Sequence, residues 1–208
     1  LANLTKKLSS KELEIENYHT IAMEKARAYS FLENMQDTIK ALNSAKEYAL
    51  KLDPPMLDLE ANYLLMNCYL NIEDYDNVII MAKEIKKANG EEYYQLAAYY
   101  YEPLALKKKQ QIDEANKLFD EAIAYYRKIS LGTPNNVDSY AFRIISLREL
   151  GKLEKALELS DFLVNINENV AESHELRAIV LEDLGRTEEA QIERDKAHTI
   201  WNASWLLA

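Results

Sequence analysis

The side chains best suited to hold a metal or to move protons near neutral pH are three histidines. They stand at His19, His174 and His198, and no two of them are four residues apart. A helix therefore never carries the paired imidazoles that bind zinc on one face. Carboxylates are abundant, but their spacing does not bring two of them together in a cleft for acid–base chemistry. We expect no catalytic residue, no metal ion and no cofactor, and hence no enzyme.

The single cysteine, Cys68, excludes an intrachain disulfide and a thiolate metal cluster. This usage favours a reducing compartment such as the cytoplasm, with an exported protein whose signal has been removed as the alternative. Lys and Arg number 25 against 35 Asp and Glu, so the protein is acidic with a formal net charge of −10. Binding of nucleic acid is therefore not expected. Membrane insertion is not expected either, because the sequence lacks an apolar run of roughly 18 residues.

Glycine and proline are scarce, with four of each among 208 residues. An all-β fold needs glycine at many tight turns, so this composition favours helices joined by short connections. Near the C-terminus one pattern occurs twice, 34 residues apart: Leu150-Gly151 before Ala156, and Leu184-Gly185 before Ala190. Each glycine suits the left-handed end of a helix, and the acidic residues that follow suit the start of the next one. A period of about 34 residues is typical of helix–turn–helix repeats.

On these residues the chain resembles the tetratricopeptide repeat (TPR) family. The resemblance implies an all-α fold, an α-solenoid in which antiparallel helix pairs form a right-handed superhelix. None of the repeats has the tryptophan of the family pattern, whose place is taken by Ala26, Asn62, Tyr99, Tyr140 and His174. A partly buried structural role is therefore expected for His174.

The expected organisation is an N-terminal helical segment that packs on the first of about five repeats. The segment covers residues 1–22, and the repeats cover 23–58, 59–95, 96–136, 137–170 and 171–208, the last with a terminal capping helix. Ser9 and Glu12 fit a capping box at the start of a long first helix. Pro103 lies inside the first helix of the third repeat, where we expect a kink.

The resemblance also implies a non-catalytic module that binds a protein or peptide. In this family, the first helices of the repeats line a concave groove, and the groove positions correspond here to Tyr63, Asn67, Tyr100, Leu104, Lys107, Lys108 and Arg148. Rigid aromatic side chains beside cations are typical of peptide grooves, so we expect a ligand segment with acidic or aromatic character at its centre and basic character at one end. The alternative is that the cluster of lysines from Lys107 to Lys109 only solvates a helix end. Phe31 stands where members that bind chaperone tails need Asn, which argues against such a ligand.

A second interpretation is a self-association, sensory or scaffold segment of a larger signalling or secretion protein. The apolar residues near the C-terminus, Trp201, Trp205 and Leu206, favour it because they could dock on a second copy as a homo-oligomer contact. A mass that depends on concentration would separate this interpretation from a monomeric adaptor.

Overall fold

The computed structural model describes residues 10–52, 57–88, 90–134 and 136–205, the side chains of residues 10, 204 and 205 excepted. Within these ranges the chain forms ten α-helices and no strand, which confirms the predicted all-α class. The helices are α1 (Ser10–Phe31), α2 (Met35–Ala49), α3 (Leu59–Asn71), α4 (Tyr75–Lys87), α5 (Glu92–Lys108), α6 (Ile112–Gly132), α7 (Val137–Glu149), α8 (Leu153–Ile166), α9 (Ala171–Asp183) and α10 (Thr187–Trp205). None of these helices is long and apolar enough to cross a lipid bilayer.

Each odd-numbered helix is joined to the next helix by a turn of three residues. The middle residue of each turn has a left-handed backbone, with φ between 56° and 75°, at Glu33, Glu73, Gln110, Gly151 and Gly185. In the fourth pair, the amide of Gly151 donates to the carbonyl of Arg148, and that of Lys152 donates to Leu147, both at 2.9 Å. The other four turns repeat this pair of bonds, so all five helices end in the same Schellman motif.

The chain divides into two compact units, residues 1–105 and 106–208. In unit 1, α1 packs on α2, α2 on α3 and α3 on α4. Its core is made of fully buried apolar side chains, among them Leu42, Leu65, Met66, Val78 and Ile85. This succession of contacts between neighbouring helices is how helical repeats bury a core.

Unit 2 is built in the same way, with α6 on α7, α7 on α8, α8 on α9 and α9 on α10. Tyr140, Ile144 and Leu147 of α7 pack with Ala156 and Leu163 of α8 and with Val180 of α9. Ala156 and Ala190 are fully buried, as expected for small residues that let two helices approach closely.

Helix α1 differs in extent from the expected organisation. Helix α1 is continuous across residues 22 and 23, so the N-terminal segment and the first helix of the first repeat are one helix. Ala22 and Met23 are both buried, and neither residue is a helix breaker. The predicted capping residue Ser9 lies outside the described residues. Helix α5 continues through the buried Pro103 without a break.

Four of the five positions that replace the family's tryptophan are buried, and the fifth, Tyr99, is half-buried. Ala26, Asn62, Tyr140 and His174 are buried, with exposed fractions of at most 6%. His174 is thus buried, as predicted from its place in the repeat. The smaller side chains at Ala26 and Asn62 leave the first two repeats without an aromatic residue here, which is why their pattern is harder to read in the sequence.

Candidate functional site

In unit 1, the candidate residues Tyr63 and Asn67 belong to a hydrogen-bonded cluster between α3 and α5. They lie one helical turn apart, and the Nδ2 amide of Asn67 donates to the carbonyl of Tyr63 at 3.0 Å. The hydroxyl of Tyr101 donates to Oδ1 of Asn67 at 2.8 Å. The hydroxyls of Tyr63 and Tyr93 are 3.1 Å apart. Both functional groups of the Asn67 amide are therefore held in a fixed orientation.

Aromatic contacts extend this cluster along α5. The ring of Tyr63 lies 5.6 Å from the rings of Tyr93 and Tyr94 and 6.4 Å from that of Tyr101, measured between centroids. Tyr100 joins through an edge-to-face contact with Tyr101 at 5.5 Å. We call these five residues the tyrosine cluster. Burial, and after it the neighbouring Tyr63, raises the pKa of Tyr101 to about 12, so its hydroxyl stays a donor.

Beside the tyrosine cluster lies a cavity of 390 Å³, which we call the α1–α3 cleft. Its walls come from three helices of unit 1: Ala26, Arg27, Ser30 and Phe31 of α1, Met35 and Thr38 of α2, and Leu64, Asn67, Cys68 and Asn71 of α3. Phe31 is 88% exposed at the end of α1. Arg27 pairs with Glu60 at 2.9 Å and also contacts Glu24. Asn67 lines the cleft and also accepts a hydrogen bond from Tyr101 of the tyrosine cluster, so the two surfaces are adjacent.

The cysteine in the wall of the cleft has no catalytic character. Burial raises the pKa of the Cys68 thiol, which keeps it protonated, whereas nucleophilic and metal-binding cysteines act as thiolates. Each buried or half-buried histidine also has a carboxylate partner: His19 contacts Asp58, and His174 contacts Glu193, both at 2.6 Å. Within the part of the chain that the structure describes, no three His, Cys, Asp or Glu residues converge as metal ligands.

Two of the three basic candidates of unit 2, Lys107 and Arg148, are engaged in ion pairs. The Lys107 ammonium donates to the backbone oxygen of Glu149 at 2.6 Å and to its carboxylate at 2.9 Å. The Arg148 guanidinium donates to Asp183 at 2.5 Å. These pairs connect α5 to α7 and α7 to α9, which are successive first helices of the repeats. An acidic ligand would have to compete with both internal carboxylates.

The structure thus brings together three of the seven sequence-predicted site residues, Tyr63, Asn67 and Tyr100, through the tyrosine cluster of unit 1. Leu104 is half-buried in α5, and Lys108 is exposed at the end of the same helix. The site as a whole remains a prediction. The sequence analysis used Phe31 only to argue against a chaperone-tail ligand, and its candidate site begins at Tyr63, so it left out the part that α1 plays in the cleft.

The apolar C-terminal residues are described only in part. Trp201 is 42% exposed and Ile192, on the same helix α10, is 55% exposed. Leu206 lies outside the described residues, and Trp205 is described only as the last residue of α10.

Comparisons with known proteins place this fold among helical repeats. The chain matches no family model and no curated protein sequence. Among solved structures, it is similar to TTC0263, a thermophilic TPR protein of Thermus thermophilus, with a TM-score of 0.64, 18% identity, and coverage of 91% of this chain and 100% of that one.

A second similar structure is "MamA 41-end from Desulfovibrio magneticus RS-1", with a TM-score of 0.51 and 14% identity. That match covers 89% of this chain and 96% of the other. At these identities the likeness concerns the fold alone. The chain has a helical-repeat fold of the all-α solenoid class that is similar to the fold of TPR proteins.

Proposed function

We propose that this protein is a non-catalytic interaction module that binds a segment of a partner protein on the first helices of its repeats. The observation that carries the proposal is the α1–α3 cleft, an apolar cavity of 390 Å³ directly beside the tyrosine cluster. Peptide and ligand sites typically combine apolar walls with a few fixed polar groups. The amides of Asn67 and Asn71 supply those groups here, since both line the cleft.

The ligand that fits this surface best presents an apolar side chain to the cleft. Phe31 offers an exposed aromatic face at the cleft's edge, and Met35 and Leu64 extend the apolar wall. The tyrosine cluster contributes rigid rings, which contact a ligand at a low cost in conformational entropy. In unit 2, Lys107 and Arg148 are neutralised by Glu149 and Asp183, so an acidic ligand gains less there than the sequence alone suggests.

The proposal is tested by selecting binders from a random peptide library on the purified wild-type protein. The selected peptides are then titrated against the variant Phe31→Ser. Because Phe31 is 88% exposed, its loss should leave the core intact and weaken binding by about tenfold or more, the usual effect of removing an aromatic anchor.

The matched control is Leu131→Ser, which removes an apolar side chain that is 74% exposed on α6 in unit 2. This control should bind the peptides as tightly as the wild type. Peptides that bind Phe31→Ser and the wild type equally well would remove the α1–α3 cleft from the proposal.

A second candidate function is self-association through α10, favoured by the exposure of Ile192 and Trp201 on the same helix. Sedimentation equilibrium over a wide concentration range tests it directly. A mass that rises with concentration in the wild type and stays monomeric in Trp201→Ser would support self-association. A constant monomer mass for both proteins would eliminate it.

A further inference from the structure

Unit 2 contains a second cavity, of 480 Å³, between α6, α7 and α8. Arg143 of α7 lies in its wall, together with Ile123, Leu147 and Leu159. The Nε atom of Arg143 is buried and lacks a hydrogen-bond partner within the described residues. We call this cavity the Arg143 pocket. A guanidinium that is half-buried without a carboxylate is unusual, because removing a charge from water costs several kcal/mol unless it is paired.

The next repeat contains the same arginine with its partners in place. Arg177 follows Arg143 by 34 residues, the spacing that also relates Ala156 to Ala190. The Nε of Arg177 donates to Asp161 at 2.5 Å, and its Nη1 contacts Glu193 at 2.9 Å. The position is thus built to place a guanidinium between two carboxylates, one from each neighbouring second helix.

In the Arg143 pocket, no described carboxylate pairs with the arginine as Asp161 and Glu193 pair with Arg177. The counterpart of Glu193, 34 residues earlier, is Leu159, which cannot accept a hydrogen bond. The counterpart of Asp161 is Asp120, since each stands five residues after the buried alanine of its helix, Ala156 or Ala115. The Asp120 carboxylate is engaged by Lys152 at 2.7 Å. Arg143 therefore lines the cavity without the carboxylate partners that Arg177 has.

The charges around Arg143 also differ from those around Arg177. Burial lowers the pKa of Arg143, and the positive charge of Arg127 lowers it further. Lys155 adds another cation to the pocket wall, to which Glu158 also contributes. A group that carried a negative charge into the pocket would satisfy the guanidinium of Arg143.

We propose that the Arg143 pocket binds the carboxylate of an acidic side chain of a partner protein. Carboxylates are the partners of the equivalent Arg177, and the apolar walls at Ile123, Leu147 and Leu159 suit the methylene stem of glutamate. A phosphate dianion suits the pocket less well, because Asp120 and Glu158 add negative charge to the wall. This inference does not depend on the α1–α3 cleft, which lies in the other unit.

The test follows the side-chain Nε–H resonance of Arg143 by NMR while N-acetyl-glutamate amide is added to the full chain. A saturable shift with a dissociation constant of about 1 mM is expected for a single charged contact. N-acetyl-glutamine amide, which has the same shape without the charge, should leave the resonance in place. An equal response to both compounds would overturn the proposal.

Two variants locate the response. Arg143→Leu removes the cation and should abolish the shifts of the neighbouring pocket amides. Leu159→Glu places a carboxylate where the next repeat has Glu193. The new carboxylate should form an internal ion pair with Arg143 and so abolish glutamate binding, although the arginine is still present. Glutamate binding that persists in Leu159→Glu would overturn the proposal even if Arg143→Leu did not fold. Binding of inorganic phosphate about tenfold tighter than the glutamate derivative would overturn the choice of a carboxylate ligand.

Discussion

At the scale of single residues, each turn between paired helices needs a left-handed backbone at its middle residue, and residue types adopt that conformation at different energetic costs. A left-handed φ costs an L-residue about 1 kcal/mol or more, whereas glycine adopts it freely. Glycine occupies this place at Gly151 and Gly185, but Glu33, Glu73 and Gln110 accept the same conformation. Their helix-ending hydrogen bonds are kept, so the strain is tolerated in the first three repeats.

This requirement gives a stability prediction for Gly151. Gly151→Ala should lower the free energy of unfolding by about 1 kcal/mol because of backbone strain alone. The new methyl group would meet no atom of the described residues within 4 Å. Glu73→Gly, at the same place in the second repeat, should raise the free energy of unfolding, because glycine adopts the left-handed backbone without strain. Urea unfolding followed by circular dichroism measures both, and an unchanged midpoint for Gly151→Ala would contradict the left-handed turn.

The buried phenol of Tyr101 gives a prediction at high pH. Its pKa is raised to about 12 from the ordinary value of 10, because the folded state disfavours the charged form. Its contribution to stability is therefore complete below pH 10 and is lost as the pH rises towards 12. In a tyrosine absorbance titration, Tyr101→Phe should remove the latest step. Tyr29→Phe, outside the tyrosine cluster, should leave that step in place.

At the scale of helices, α9 and α10 are joined by a buried carboxylate. Glu193 is 2% exposed and contacts His174 at 2.6 Å, Lys196 at 2.8 Å and Arg177 at 2.9 Å. The other ring nitrogen of His174 faces the carbonyl of Glu168 at 2.9 Å. Both ring nitrogens of His174 therefore face acceptors, one on Glu193 and one on Glu168.

Removing the charge of Glu193 should therefore cost more stability than removing the charge of a surface carboxylate on the same helix. Glu193→Gln should lower the free energy of unfolding by about 2 kcal/mol, because the buried side chain loses the charge that strengthens its contacts with His174, Arg177 and Lys196. Glu189→Gln removes a carboxylate of the exposed pair with Arg186 and should change the midpoint very little. Equal midpoints for the two variants in urea would refute a stabilising role for the buried network.

Helix positions were more predictable from the sequence than the contacts between helices. Local signals, namely acidic first turns after short connections, indicate where α6 begins, at Ile112, and where α10 begins, at Thr187. The pairing of Lys107 with Glu149, and of Arg148 with Asp183, joins residues about one repeat apart. Such partners depend on how neighbouring helices pack, so the sequence indicated these cations as ligand groups although each has an internal partner.

At the scale of the whole molecule, the carboxyl groups of this acidic chain differ in the direction of their pKa shifts. Hydrogen bonds from Arg194 and Arg186 lower the pKa values of Glu182 and Glu189 respectively. Burial alone would raise the pKa of Glu193, but hydrogen bonds from Lys196 and His174 and the charge of Arg177 outweigh it and lower that pKa. All three carboxylates belong to unit 2. The pKa of Asp138, in the same unit, is shifted in the opposite direction, since burial and then the charge of Glu172 raise it.

These shifts predict that unit 2 loses stability in acid. A carboxyl with a lowered folded-state pKa stabilises the fold above its ordinary value of 4.5, and that stabilisation is lost as the pH falls through the folded-state value. Trp201 and Trp205 are the only two tryptophans, and both belong to α10. Tryptophan fluorescence therefore reports on unit 2, and its urea midpoint should fall between about pH 6 and about pH 3. A midpoint that rose over this range would mean that Asp138 outweighs the three ion-paired glutamates.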